Sequence, residues 1–185
     1  MLENFIRFTT VAVLALATTG AGAAPDIASG EYFNQPYLAG IKVVPAWNAG
    51  LLGAGFIIAD LDSGVRATHV DLLGRIVAGG YDFVNDDDDP DDDDDSITDG
   101  HGTASAGVIV GNWNGVGIGG IAPSAQILPV KITDHENLSS GDLIRKGFEF
   151  ATGNAGVRII LLDTVNVPLS AAEFASLQLA VANGK

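Results

Sequence analysis

Phe56-Ile57-Ile58-Ala59-Asp60-Leu61-Asp62-Ser63-Gly64-Val65 decides how this 185-residue chain is read. Its first six residues form a short, almost continuous apolar run. That pattern suits a strand buried on both faces of a parallel sheet. Asp62-Ser63-Gly64 then opens a loop at the strand's carboxyl end. In open α/β sheets, chemistry gathers at such ends.

Working outward, residues 24–41 read as an irregular lead-in, and Lys42 to Ala49 as weakly helical. Gly53-Ala54-Gly55 breaks the chain before the strand. Arg75 to Val84 reads as a further strand region, and Gly102 to Gly111 as a helix of small residues. Ala125 to Ile132 reads as a strand. Asp142 to Thr152 is a helix with Leu143, Ile144, Phe148 and Ala151 on one face. Val157 to Leu162 is another apolar strand. Ser170-Ala171-Ala172-Glu173 is a capping box opening a helix with Phe174, Leu177 and Val181 on one face, and Asn183-Gly184 stops it. Strands alternating with helices predict an α/β fold with a doubly wound, mostly parallel sheet. A helix in such a sheet leads into another strand, so the sheet is expected to be incomplete at the C-terminus.

The net charge is −14, but residues 82–99 hold 11 acids and no base. Without them, 12 acids face 9 bases. The acidity is therefore one loop, and no basic patch exists to meet the phosphates of a nucleic acid. Within it, Asp86 to Asp95 are all Asp except Pro90. Charges this dense repel, so the run reads as a solvated flexible loop, with a cation site as the alternative. There is no Cys, hence no disulfide framework.

Residues 1–23 read as a signal peptide. Arg7 lies before the apolar run Phe8 to Ala17, and Ala21-Gly22-Ala23 is a small-residue cleavage site. The bland alternative is a buried N-terminal helix. The run is shorter than the ~20 residues of a membrane span, so no stable span is expected and the protein is expected to be secreted.

Two short motifs carry chemistry. Asp62 ends a strand, where a carboxylate is held rigidly and nearly dry. His101, within Asp99-Gly100-His101-Gly102-Thr103, opens a helix between glycines. A carboxylate bonded to one ring nitrogen fixes the tautomer and stabilises the imidazolium. Either motif alone is weak. Together they resemble the subtilisin-like serine proteases, the subtilases. Asp62-Ser63-Gly64 resembles that family's D-[ST]-G, and His101-Gly102-Thr103-Ala104-Ser105-Ala106-Gly107 its H-G-T-x-x-A-G, in the same order along the chain. Thr68-His69-Val70-Asp71-Leu72 is similar to its H-P-D-L, and Asn114 to Pro123 to its N-x-x-G-x-x-G-[VI]-A-P. The resemblance covers residues 42–185 and implies a partial peptidase domain, with catalytic Asp62 and His101 and a polypeptide substrate.

The resemblance also implies one structural calcium ion, held by the side chains of Asp71 and Asn114 and the carbonyls of Asn112, Val116 and Ile118. Gln35 is a further contributor. The bland alternative is that Asp71 caps a turn.

The chain departs from the pattern in four places. The family's G-T-S-x-[AS]-x-P is absent, since the one Gly-Thr pair continues into Ala104. Ala104 also stands where the family carries a second His. The family's I-N-x-S strand has become Ile160-Leu161-Leu162-Asp163. No folding-assisting prodomain separates Ala23 from Lys42. The expected function is therefore serine endopeptidase by family, with this chain inactive as it stands. The alternative is a non-catalytic, secreted calcium-binding domain. A phosphate loop at Gly115 to Gly120 is set aside, because Ala122-Pro123 follows where a helix is required.

Overall fold

The structure is a computed structural model that describes residues 25–93, 100–134, 139–163 and 169–185. The proposed signal peptide, residues 1–23, lies outside the described residues. Four strands, β1 (Ile57–Asp62), β2 (Tyr81–Asp82), β3 (Gln126–Lys131) and β4 (Val157–Leu162), pair in parallel in the order β2-β3-β1-β4. The alternating register divides the core. Ala59 and Leu61 pack with Leu128, Val130, Ile144, Phe148 and Ala180 on one side. Ile58 packs with Leu72, Ala106, Val110 and Ile127 on the other.

Helices lie against both faces. The helices before β1 are α1 (Gly30–Phe33) and α2 (Pro36–Gly40) in the lead-in, and α3 (Val44–Asn48) where Lys42 to Ala49 reads as helical. Those of the sheet are α4 (His101–Val110), α5 (Gly141–Gly153) and α6 (Ala171–Ala182). The apolar stripe on α5 is the one its 3.6-residue spacing predicts, with Ile144, Phe148 and Ala151 buried. Burying Ile144 or Phe148 contributes ~1.5–3 kcal/mol each.

Three expectations are corrected. The lead-in is not irregular: α1, capped by Ser29, and α2, begun by Pro36, are too short to show a period. Leu38, Val43, Trp47 and Leu52 form a third core cluster there, with Trp113 edge-on to Trp47 at 5.4 Å. The strand expected over Arg75 to Val84 shrinks to Tyr81–Asp82 plus a bridge from Ile76 to Ile127, because Gly79-Gly80 interrupts it. On α6 the capping box forms, but Phe174 and Val181 are 51% and 64% exposed. The small residues Ser176 and Ala180 lie buried with Glu173 instead. They permit close approach to α5, and Phe174 and Val181 fall off that line. No described helix is long and apolar enough to cross a membrane.

Candidate active site

Asp62 is the last residue of β1, fully buried, and His101 is the first residue of α4. His101 Nδ1 lies 2.8 and 2.9 Å from the two Asp62 carboxylate oxygens. The Ser63 amide donates to Asp62 Oδ1 at 2.6 Å. Glycines permit this crossing. A Cβ on Gly102 would collide with the Gly64 carbonyl and stand 3.1 Å from Asp62 Cβ. Gly64 has φ +104°, and its Cβ would meet the Asp91 carbonyl at 2.6 Å.

Burial raises the Asp62 carboxyl, and the His101 and Ser63 hydrogen bonds pull it back only in part. For His101, burial lowers the ring's affinity for a proton. The Asp62 bond and charge, with the charges of Asp163 and Asp92, outweigh this and raise it above its ordinary value.

Asp163 is the group that reading the sequence did not place. It follows β4, and its amide donates to the Leu61 carbonyl at 3.3 Å. A carboxylate oxygen of Asp163, one of Asp62 and a ring nitrogen of His101 all lie within 4.8 Å of one another. Where the family pattern ends its strand in Ser, this chain brings a second carboxylate to the imidazole. The signal was the departure from I-N-x-S. Ser105 Oγ donates to Asp163 Oδ2 at 3.2 Å, and Ser63 Oγ to Asp92 Oδ1 at 3.1 Å.

The acidic run is solvated only in part: Asp86 to Asp89 are exposed, whereas Pro90 to Asp93 is tied to the sheet end. Pro90 accepts from the Val65 amide at 2.9 Å. Buried Lys131 at the end of β3 reaches the Asp91 carbonyl at 3.1 Å, Asp82 Oδ2 at 3.5 Å, and Asp93. A cation and backbone bonds offset the repulsion that argued for solvation. Residues 94–95 of the run lie outside the described residues.

At the calcium residues the structure brings Asp71, Asn114 and Ile118 together. Asp71 Oδ1 accepts from Asn114 Nδ2 at 3.1 Å, and Oδ2 from the Ile118 amide at 3.3 Å. The Val116 amide donates to Asn114 Oδ1 at 3.0 Å. Asn112 joins through its amide, which donates to the Asp71 carbonyl at 2.7 Å, while its own Oδ1 accepts from Arg75 Nε. Glu31 was missed: its Oε1 accepts from the Asn114 amide at 3.2 Å, and its carbonyl accepts from Gln35 Nε2. Asp71, Asn114 and Glu31 bring hard oxygens to this loop, the ligand type that calcium takes, while Gln35 Oε1 accepts from Tyr37 Oη at 2.5 Å. A cavity of about 470 Å³ lies between this loop and the pair, lined by His69, Asp71, Asp92, Thr103, Ala104 and Ile118.

A carboxylate at the end of a parallel strand holding an imidazole at the head of the next helix has the geometry of the orienting half of a Ser-His-Asp hydrolase site. The subtilase family profile matches residues 53–162. The chain is 40% identical to the minor extracellular protease Epr of Bacillus subtilis (strain 168), over 75% of this chain and 19% of that protein. It is 34% identical to thermitase of Thermoactinomyces vulgaris, over 70% of this chain and 47% of that protein. It is 43% identical to the major intracellular serine protease of Bacillus subtilis (strain 168), over 53% of this chain and 31% of that protein. The crystal structure of a cold adapted subtilisin-like serine proteinase superposes with a TM-score of 0.58 at 27% identity, over 71% of this chain and 45% of that one. The chain belongs to the subtilase family. It spans less than half the length of each of these relatives.

Proposed function

We propose that this chain supplies the proton-transfer half of a serine-type endopeptidase site of the subtilisin kind. The two-oxygen hold of Asp62 on His101 Nδ1 carries this reading. With Nδ1 so engaged, Nε2 is the nitrogen left to act as general base. It takes the proton of an attacking hydroxyl and returns it to the leaving amine, while Asp62 stabilises the intervening imidazolium. The Ser63 and Ser105 hydroxyls donate to Asp92 and Asp163 rather than to His101. No Ser follows a Gly-Thr pair in the 185 residues. On this reading the chain alone does not cleave polypeptides, and cleavage requires a Gly-Thr-Ser segment joined to this one.

Export and calcium belong to the same proposal. The apolar N-terminal segment with Ala21-Gly22-Ala23 supports a signal peptide, and one relative is extracellular while another is intracellular. Asp71, Asn114 and Glu31, with neighbouring carbonyls, would hold calcium, which supplies charge neutralisation and rigidity.

The test is a chimera in which residues 53–162 replace the matching segment of thermitase. It is expected to hydrolyse casein and to lose activity in Asp62→Asn and His101→Ala. A folded chimera without activity overturns the reading.

A further inference from the structure

We propose that Asp92, from within the acidic run, is a positioning residue for the Asp62–His101 pair: its carboxylate ties the loop after Asp62 to the first turn of the helix that carries His101. The side chain is 3% exposed, although it comes from the most charged stretch of the sequence. Three donors meet its two oxygens. Ser63 Oγ donates to Oδ1 at 3.1 Å. The Thr103 amide and Thr103 Oγ1 donate to Oδ2 at 3.1 and 2.6 Å.

The circuit closes on itself. Ser63 Oγ accepts from the Gly102 amide at 3.0 Å. Thr103 Oγ1 accepts from the Arg66 amide at 2.9 Å, and Arg66 Nη2 donates to the Asp92 carbonyl at 2.5 Å. Ser63 is the neighbour of Asp62, and Gly102 is the neighbour of His101. The circuit therefore holds both members of the pair by their adjacent residues.

It also completes α4. The N-cap Gly100 has no side chain to cap the helix. The free amides of Gly102 and Thr103 find Ser63 and Asp92 instead, and an anion stands at the positive end of the helix. A carboxylate is the acceptor that fits, because it has no hydrogen and takes several donors at once. Lys131, on the Asp91 carbonyl and on Asp93, holds the strap from its other side. A hydrogen bond as short as the Asp62–His101 contact weakens steeply with misalignment, so this circuit sets its geometry.

The role in catalysis rests on the endopeptidase reading, whereas the positioning is testable on the 185-residue chain alone. The readouts are the downfield Nδ1–H proton resonance of His101 and the pH titration of its ring, by NMR. Asp92→Asn keeps the shape but leaves one acceptor oxygen for three donors. The Nδ1–H resonance is expected to be lost to exchange and the ring midpoint to shift downward. Ser63→Ala cuts one arm without changing charge and is expected to weaken the same resonance. It decides the matter if Asp92→Asn does not fold. Ile144→Val, a packing change under α5, is expected to leave the resonance in place, as a purely structural perturbation does. An unchanged resonance and titration in Asp92→Asn, or in Ser63→Ala where only that folds, overturns the proposal. So does a lowered midpoint with the resonance intact, which means that Asp92 acts by charge alone. An inactive chimera with the NMR response present would sink the endopeptidase reading and leave this one standing.

Discussion

Both carboxylate oxygens of Asp62 lie within hydrogen-bond distance of one atom, His101 Nδ1, at 2.8 and 2.9 Å. A buried acceptor that offers two oxygens to one N–H fixes the ring's tautomer and favours its charged form.

Burial works against the imidazolium, but Asp62, Asp163 and Asp92 together raise the ring's proton affinity. His101 is expected to titrate above the ordinary ~6.5 in an NMR pH series. Because the folded value is the higher one, its stabilising contribution is fully present below ~6.5 and is lost as pH rises through the folded value. Asp62→Asn removes the accepting charge and is expected to lower the midpoint. A midpoint unmoved by Asp62→Asn would show that the pair is not coupled in solution.

Asp163 offers a separable test. It adds negative charge beside His101 without taking the Nδ1 bond. Asp163→Ser restores the residue type of the family pattern. The ring midpoint is expected to fall while the Nδ1–H resonance persists. An unaltered midpoint would mean that solvent screens Asp163 from the ring.

Lys131→Met removes the cation that meets Asp82 and Asp93. Asp82 is buried at 1% exposure, and its loop amides at Val84 and Asn85 do not replace a charge. Breaking a buried pair by removing one partner costs about 3–5 kcal/mol. Chemical denaturation is expected to show a loss of that order. A loss below about 1 kcal/mol would mean that the backbone bonds alone hold the acidic run.

The strand Phe56 to Leu61, the helix after His101 and the capping box at Ser170 were legible because each carries a local pattern: an apolar run, small residues after a Gly-flanked His, a Ser and a Glu three apart. The Asp62–His101 contact was legible from two motifs in fixed order. What escaped was long-range. Nothing near Asp92 in sequence indicates that Ser63, 29 positions earlier, will donate to it. Glu31 meets Asn114 across 83 positions. The solvated-loop reading of the Asp run assumed repulsion with no cation nearby, and Lys131 supplies one from a strand 38 residues after Asp93.

Asp60 shares the strand face of Asp62 but has neither its bond nor its use. It is 1% exposed, and both its oxygens lack a hydrogen-bond partner. Burial, and then the charges of Asp62, Asp163 and Asp92, push its carboxyl well above the usual range. A carboxyl that titrates higher when folded erodes stability as pH rises from the unfolded value, ~3.9, toward the folded one. Asp60→Val replaces it with an apolar side chain of similar size and good strand preference. The variant is expected to gain ~1–3 kcal/mol at neutral pH. Its stability should also decline less between pH 4 and neutrality. Thermal unfolding across pH checks both, and a variant less stable than its parent at pH 7 would show that Asp60 makes a needed contact.

Asp71 is buried at 3% exposure, and its two oxygens are aimed at the loop that Asn114 and Ile118 belong to. Glu31 reaches the same loop from α1, so two carboxylates from separate parts of the chain meet the Asn114 loop. A cation that binds these groups only when they converge binds the folded state and not the unfolded one. It therefore stabilises by mass action, about 2.7 kcal/mol at a hundred times its Kd. The thermal midpoint is expected to rise with added calcium and to return on chelation. Asp71→Ala should remove most of the rise, and Glu31→Gln part of it, since each withdraws one carboxylate from a hard ion that prefers charged oxygen. A rise that survives Asp71→Ala would move the ion to the acidic run, where Asp86 to Asp89 offer exposed carboxylates. An unchanged midpoint in the parent would leave Asp71 as a brace that holds the Asn112 to Ile118 loop through hydrogen bonds alone.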